Sequence, residues 1–299
     1  VKLSDTQRLI AGVDFLHEHG ETRDTFGDTA LYDDSRNDTA VFGGWQAGFG
    51  AFDSEVSLRR DDNSEFGGAT TGSAALGWRH GDSFRVFASY GEGFRSPTLN
   101  EQFSPGYGGA FAGNPALDPE RSRSTELGVE LTPWRGQRFG ANLYSTRVRD
   151  LISFTGPNFR AENIARASID GAELTYDADV AAWHTHLAYT YDDARDAATD
   201  APLVRRPKNK FDAVVERRFG ERFSAGAEVV AADRADDIAG TTLAGYAILN
   251  LRASCAIDAD WRVTGRVENL FDRDYALVRG YSTPGLAGFL EIVWQPAAR

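Results

Sequence analysis

Apolar and polar residues alternate with period two along most of this chain, the signature of strands with two chemically different faces. In Trp261-Arg262-Val263-Thr264-Gly265-Arg266-Val267-Glu268 one face carries Trp, Val, Gly and Val, and the other Arg, Thr, Arg and Glu. Ala247, Leu249, Leu251, Ala253 and Cys255 stand opposite Ile248, Asn250, Arg252 and Ser254. Phe223, Ala225, Ala227 and Val229 oppose Ser224, Gly226 and Glu228, and Leu127, Val129 and Leu131 oppose Glu126, Gly128 and Glu130. Helical periodicity is nearly absent. The pattern predicts about 14 strands, each near the roughly 9–11 residues that cross a bilayer at a tilt.

The connections between these strands sort into two kinds. Tight turns fall around Gly50, His80-Gly81-Asp82, Trp134-Arg135-Gly136, Ala178-Asp179-Val180, Phe219-Gly220-Glu221 and Ile257-Asp258-Ala259. Long polar loops are expected at about 18–36, 61–67, 93–121, 154–163, 192–207, 234–243 and 272–287. Short turns on one side and long loops on the other are the arrangement of an outer-membrane barrel, where the short side is periplasmic. The last strand, Phe289 to Gln295, then runs down to the periplasm and fixes the direction of all the others by alternation. With that orientation Trp45, Trp78, Trp134 and Trp294 lie late in descending strands, and Trp183 and Trp261 open ascending ones. All six are predicted at the periplasmic rim, joined by Phe84, Phe139 and Phe223 in an aromatic girdle. An ordinary all-β protein would spread them over both rims.

Composition narrows the classes further. The 299 residues include 31 glycines, and 44 acidic against 32 basic residues give a net charge of −12. Mean hydropathy is −0.40 and no apolar run approaches the roughly 18 residues of a membrane helix. A barrel apolar outside and wet inside reconciles low hydropathy with clean alternation, since lipid stabilises such an inverted arrangement. The acidic balance excludes a phosphate-tracking nucleic-acid surface, and one cysteine, Cys255, excludes an intramolecular disulfide framework. The chain has no methionine and begins Val1-Lys2-Leu3-Ser4, which reads as a processed or truncated product.

Four segments resemble the C-terminal half of TonB-dependent outer-membrane receptors. They are Tyr90 to Glu101 (YGEGFRSPTLNE), Gly113 to Glu120 (GNPALDPE) leading to Glu126-Leu127-Gly128, Ala167 to Glu173 (ASIDGAE), and Val267 to Tyr275 (VENLFDRDY). Within that family Ala201 to Lys208 (APLVRRPK), Arg279 to Gly285 (RGYSTPG) and Asp61 to Gly67 are similar to the cobalamin-transporter subfamily, while ferric-siderophore receptors share much of the framework. The resemblance implies an all-β, transmembrane, antiparallel up-and-down barrel of 22 strands in the outer membrane of a Gram-negative bacterium. Residues 1–299 would supply its C-terminal 14 or so as a partial barrel domain, leaving the plug, the first strands and the TonB-contacting segment outside this sequence. The implied function is import of a large scarce ligand, cobalamin or a ferric siderophore, with TonB, outer-membrane lipid and lipopolysaccharide as partners. A passive porin-type channel is the alternative. The ending Trp294-Gln295-Pro296-Ala297-Ala298-Arg299 departs from the terminal aromatic residue usual in such barrels.

Carried over residue by residue, the cobalamin resemblance puts Arg205 and Tyr281 at the mouth as ligand contacts. A guanidinium donates to amide oxygens, and a phenol stacks and donates at once. The competing reading makes Arg205 a loop-base cation paired with a nearby acid. No nucleophile elbow, phosphate-binding loop or acid/base pair stands out, so no enzyme activity, catalytic residue or resident cofactor is expected. His17 with His19, and His184 with His186, share strand faces and are read as polar rim residues, with no metal site expected. The acidic pairs Asp33-Asp34, Asp61-Asp62, Asp192-Asp193 with Asp196, and Asp236-Asp237 are candidate calcium ligands in the loops or, more simply, a solvated acidic rim.

Overall fold

A computed structural model describes residues 1–24, 26–27 and 29–296. Residues 297–299, which carry the departure at the C-terminus, lie outside the described residues. The strands are β1 (Lys2–Ser4), β2 (Gln7–Asp24), β3 (Thr29–Phe49), β4 (Phe52–Asn63), β5 (Gly67–His80), β6 (Phe84–Arg95), β7 (Glu120–Trp134), β8 (Gln137–Thr155), β9 (Arg160–Val180) and β10 (Trp183–Asp196). They continue as β11 (Asn209–Phe219), β12 (Phe223–Ala232), β13 (Ala235–Asp237), β14 (Thr241–Leu243), β15 (Tyr246–Ala256), β16 (Trp261–Glu268) and β17 (Ala287–Trp294). A helix of five residues, α1 (Leu99–Phe103), sits between β6 and β7. All strands except β13 and β14 form one antiparallel sheet of 15 strands in chain order, β1 to β12 and then β15 to β17. Setting aside the three-residue β1, that is a meander of 14 full strands, as the alternation predicts. No ladder joins β17 to β1 or β2 among the described residues, so the sheet has two edges there.

The cross-strand registers carry the predicted faces coherently from strand to strand. Leu127 lies opposite Ala88 and Leu143, Leu131 opposite Phe84 and Phe139, and Leu174 opposite Ala141 and Tyr189. Val229 pairs with Ala213 and Leu249, and Val263 with Cys255 and Ile292. One continuous apolar band therefore covers the outward face, Cys255 included. The six tryptophans gather at the short-turn end: Trp134 closes β7, Trp183 opens β10, and Trp261 at the start of β16 faces Trp294 at the end of β17, ring centroids 6.2 Å apart. Trp78 packs edge-on against Phe84 at 6.0 Å, and Trp45 lies five residues above the β3–β4 turn.

Two expectations need correction. Strands of membrane-crossing length were expected, but β2, β3, β8 and β9 run for 18, 21, 19 and 21 residues. The expected loop at 18–36 is thus largely paired strand, and the loop at 61–67 shrinks to the turn Ser64–Phe66. Above the membrane the backbone still prefers to pair, and polar side chains there face water on both sides, so alternation fades while the ladder continues. The turn expected at Ala178–Val180 lies two residues later, at Ala181-Ala182, because Trp183 pairs with Val180 and the hairpin closes on the intervening pair.

The inward face is polar but tightly fitted. Ser57 and Ser73 share a hydrogen bond of 2.7 Å, as do Ser124 and Thr146 at 2.8 Å. Phe87 lies directly opposite Gly128, and Tyr144 directly opposite Gly171; a Cβ on Gly128 would come to 2.2 Å from Phe87 Cζ, and one on Gly171 to 2.3 Å from Tyr144 Cζ. The missing side chain is the seat of the ring, which covers glycine backbone that would otherwise be loosely packed. Gly128→Val gains up to about 1 kcal/mol of strand preference but displaces Phe87 at a cost of about 1–3 kcal/mol. The urea midpoint of the variant in detergent is therefore expected below that of the parent, and an equal or higher midpoint would show that the pairing carries no weight.

Candidate functional site

The long-loop end is built by side chains that fold the connections onto the strand tips. The β6–β7 connection carries the Arg95 to Glu101 motif. Arg95 donates to both oxygens of Glu120 (2.8 Å each) and to Glu101 (2.9 Å), and Thr98 and Glu101 form a reciprocal capping box on α1. Arg36, 5% exposed, reaches up from β3 to donate to the Pro97 carbonyl at 2.6 Å and to Glu18, while Gln102 of α1 donates to Glu65. Farther along the same connection, Leu117 packs with Ile152, Ala161 and Phe154 in a small core above the membrane, and Phe111 stacks on Phe159 at 5.2 Å. The motif residues that resemble the receptor family thus have an architectural task here.

On the other side of the opening, three connections meet at one carboxylate. Asp237 ends β13, in the β12–β15 connection, and its side chain is fully buried. One oxygen accepts from Arg205 Nε at 2.6 Å and from the Ile238 amide at 2.8 Å; the other accepts from the Arg279 amide at 3.0 Å. The Arg205 amide also donates to the Asp236 carbonyl at 2.6 Å, with Arg205 in a left-handed conformation of φ 60°. The β10–β11 and β16–β17 connections are therefore both fastened to the β13–β14 hairpin. Burial alone would push the Asp237 carboxyl up, but the Arg279 and Ile238 amides and the Arg205 guanidinium hold it below the ordinary carboxylate range. The Ala198 and Thr199 amides likewise hold Asp196 low.

Arg205 and Tyr281 are thus on loops brought to one side of the opening. Arg205 is a loop-base cation paired with an acid, the simpler of the two readings, and only its Nε is engaged; the terminal nitrogens make no ion pair among the described residues. Tyr281 is 75% exposed, two residues beyond Arg279. The β16–β17 connection begins at Asn269, buried, whose side chain donates to the Arg273 and Pro284 carbonyls (3.0 and 3.2 Å) and accepts from the Arg273 amide (2.8 Å). Asn269 therefore closes the loop that presents Tyr281. Asp237 was visible in the sequence only as half of an acidic pair, and nothing local marks it as the fastening point.

The acidic pairs do not converge. Asp61 is bound by Arg59 at 2.8 Å, and Asp193 by Lys208 and Arg195 at 2.7 and 2.9 Å. Among the described residues no three His, Cys, Asp or Glu side chains are placed to hold a metal ion. The histidines pair across strands, His17 with Asn37 (2.8 Å), His184 with Asp179 (2.9 Å) and His186 with Asp177 (2.7 Å).

Residues 3–270 match the family described as TonB dependent receptor-like, beta-barrel. Among solved structures, the chain resembles the copper transporter OprC over 97% of its own length and 54% of that protein's, with a TM-score of 0.78 and 20% identity. For the FrpB iron transporter from Neisseria meningitidis the shares are 98% and 53%, with a TM-score of 0.76 and 16% identity. For the ferric enterobactin receptor from Pseudomonas aeruginosa they are 96% and 51%, with 0.79 and 18%. At these identities the likeness is one of fold, and the chain spans about half the length of each.

Asp237 makes the loop cluster sensitive to acid with a defined sign. A carboxyl held low in the folded state stabilises above its unfolded value, near about 4, and that contribution disappears as pH falls through the lower folded value. Amide exchange at Arg279 and Ile238, corrected for its intrinsic pH dependence, is expected to stay slow from neutral pH to about 5 and to quicken below about 4. Asp237→Asn should quicken exchange at Arg279 by about tenfold already at neutral pH; unchanged protection in the variant would remove Asp237 from this role.

Proposed function

The chain belongs to the TonB-dependent receptor β-barrel family of the bacterial outer membrane, and from that premise we propose that it walls the ligand path of an importer whose ligand is cobalamin. The observation that carries the reading is the meeting, at Asp237, of the two segments that resemble the cobalamin subfamily, Ala201 to Lys208 and Arg279 to Gly285. They are far apart in sequence and need not have met. Their meeting supports the reading because a guanidinium whose terminal nitrogens make no ion pair among the described residues and an exposed phenol then belong to one loop cluster. A corrinoid offers peripheral amide oxygens for the first and a broad face for the second.

In this reading the ligand is captured by the loop cluster and passed to a lumen whose wall includes the polar groups of Ser57, Ser73, Ser124, Thr146 and Glu126. Energy coupling to TonB, and a plug within the barrel, would belong to parts of the receptor outside these 299 residues. A ferric siderophore is the second reading, favoured by the fold shared with the ferric enterobactin receptor and the FrpB iron transporter.

Equilibrium binding of cyanocobalamin and of a panel of ferric siderophores to the intact receptor separates the two. With cobalamin as ligand, Tyr281→Ala is expected to weaken binding by about 1–3 kcal/mol, or roughly 5- to 150-fold, with Tyr281→Phe milder because the ring keeps its stacking area. Arg205→Ala should cost at least as much, since it also leaves the buried Asp237 without its cation. Parent-like cobalamin binding by both alanine variants would withdraw these residues, and tight binding of a siderophore alone would withdraw cobalamin.

A further inference from the structure

We propose that the β6–β7 connection is a fixed shelf across the ligand entrance that sets the largest ligand admitted, and that Arg36 of β3 is the residue that positions it. The proposal rests on the reading of this chain as the wall of an importer and holds for either ligand.

Strand parity puts this connection on the lumen side of the wall. Ser57, on the inward face, lies directly opposite Gly44, and Arg36 shares the parity of Gly44 along β3. Glu18 lies directly opposite Arg36, and Gly20, two residues farther along β2, has the same face. α1 packs against these inward positions. Leu99 covers Gly20, where an added Cβ would come to 2.9 Å from Leu99 Cδ1, and Arg36 holds the Pro97 carbonyl at 2.6 Å. Phe103 completes the contact against Tyr32, ring centroids 6.1 Å apart. Arg36 stands nine residues beyond Trp45 on β3. That is about 31 Å along the strand, or about 24 Å along the membrane normal at the usual tilt, against an apolar band about 25 Å tall. α1 therefore lies at the mouth.

The connection is held at both ends. At the first, the β4–β5 turn closes on Arg36 from the far side, with Glu65 at 3.7 Å and the Phe66 ring at 5.7 Å, and the amides of both donate to buried Asn63 at 3.0 and 3.2 Å. Gln102 and Pro97 are the largest fully buried side chains among the described residues, so this contact is dry although the lumen below it is wet. The return arm lies tight on α1. The Gly113 amide donates to the Ser104 carbonyl and the Asn114 amide to the Glu101 carbonyl, 2.8 Å each, and a Cβ on Gly113 would lie 2.6 Å from the Gln102 backbone. At the second end the Phe111 amide donates to the Asn158 carbonyl and the Ala161 amide to the Ala112 carbonyl, 3.0 Å each, while Arg160 Nε donates to the Gly113 carbonyl at 3.3 Å. A segment fastened to the inner face of β2 and β3 and to the tip of the β8–β9 hairpin passes in front of β4 to β7. Among the described strands the way in is thus the β10–β17 side, where Arg205 and Tyr281 stand. Lifting the shelf would strand the buried Arg36 charge, so it acts as a wall and does not yield to the ligand.

Thiol labelling of the intact receptor in a Cys255→Ser background measures the entrance without reference to a ligand. Thr71→Cys and Thr190→Cys each put a thiol on the inward face seven residues above a girdle tryptophan, Trp78 or Trp183, the first behind the shelf and the second on the open side. N-ethylmaleimide is expected to label the two at similar rates. A bulky polyethylene-glycol maleimide should label Thr71→Cys at least about tenfold more slowly than Thr190→Cys. Adding Arg36→Met should abolish that difference with the N-ethylmaleimide rates unchanged, and Arg36→Lys, which keeps a donor for the Pro97 carbonyl, should restore most of it. Should Arg36→Met fail to assemble, Gly113→Val, which forces the return arm off α1, is expected to give the same result. Equal labelling of the two sites by the bulky reagent, a difference that survives Arg36→Met or Gly113→Val, or a matching rise in the N-ethylmaleimide rates would each overturn the proposal. Failure of the receptor to bind either cyanocobalamin or a ferric siderophore, with the labelling pattern as expected, would fall on the importer reading instead.

Discussion

A backbone that enters hydrocarbon must satisfy every amide and carbonyl within the protein, and this requirement organises the whole chain. Strands β3 to β12, β15 and β16 meet it by lying antiparallel between two neighbours, while β2 and β17 form the edges of the sheet among the described residues, and side chains alternate between lipid and lumen. The apolar band, the girdle of six tryptophans and the serine-rich inner wall are consequences of that one pairing rule. Even the aromatic rings seated over Gly128 and Gly171 obey it, since directly opposed residues necessarily share a face.

Above the membrane the rule relaxes and different interactions take over. Water satisfies backbone groups there, so the connections must be held by specific contacts or remain loose. Two buried charged groups of opposite sign do most of the holding, Arg36 beneath the β6–β7 connection and Asp237 among the three connections that follow β10, β12 and β16. Each gathers partners from segments distant in sequence, and each is hydrogen-bonded on several sides, which is the condition under which a buried charge is tolerated.

Period two was enough to read the faces, the strand count and the tryptophan rim, because lipid punishes a wrong face at every position. It was not enough to read strand ends. Beyond Asn63 or near Glu18, both faces are wet, and a polar stretch such as Asp33 to Asn37 looks the same in a loop as in a paired strand. Asp237 was illegible for another reason: its partners at Arg205 and Arg279 are 32 and 42 positions away, and no local pattern encodes such meetings.

The single fastening at Asp237 also shapes how the mouth can move. A loop tethered only at its two ends explores its conformations alone, and ordering it afresh would oppose any ligand. Here the segment bearing Arg205, the β13–β14 hairpin and the segment leading to Tyr281 share one buried joint. A pull on any one of them is felt by the others, so the rim on this side of the barrel is stiff against independent loop motion and hinged only as a unit. The conformational entropy that three separate loops would surrender on capture is already spent when the chain folds.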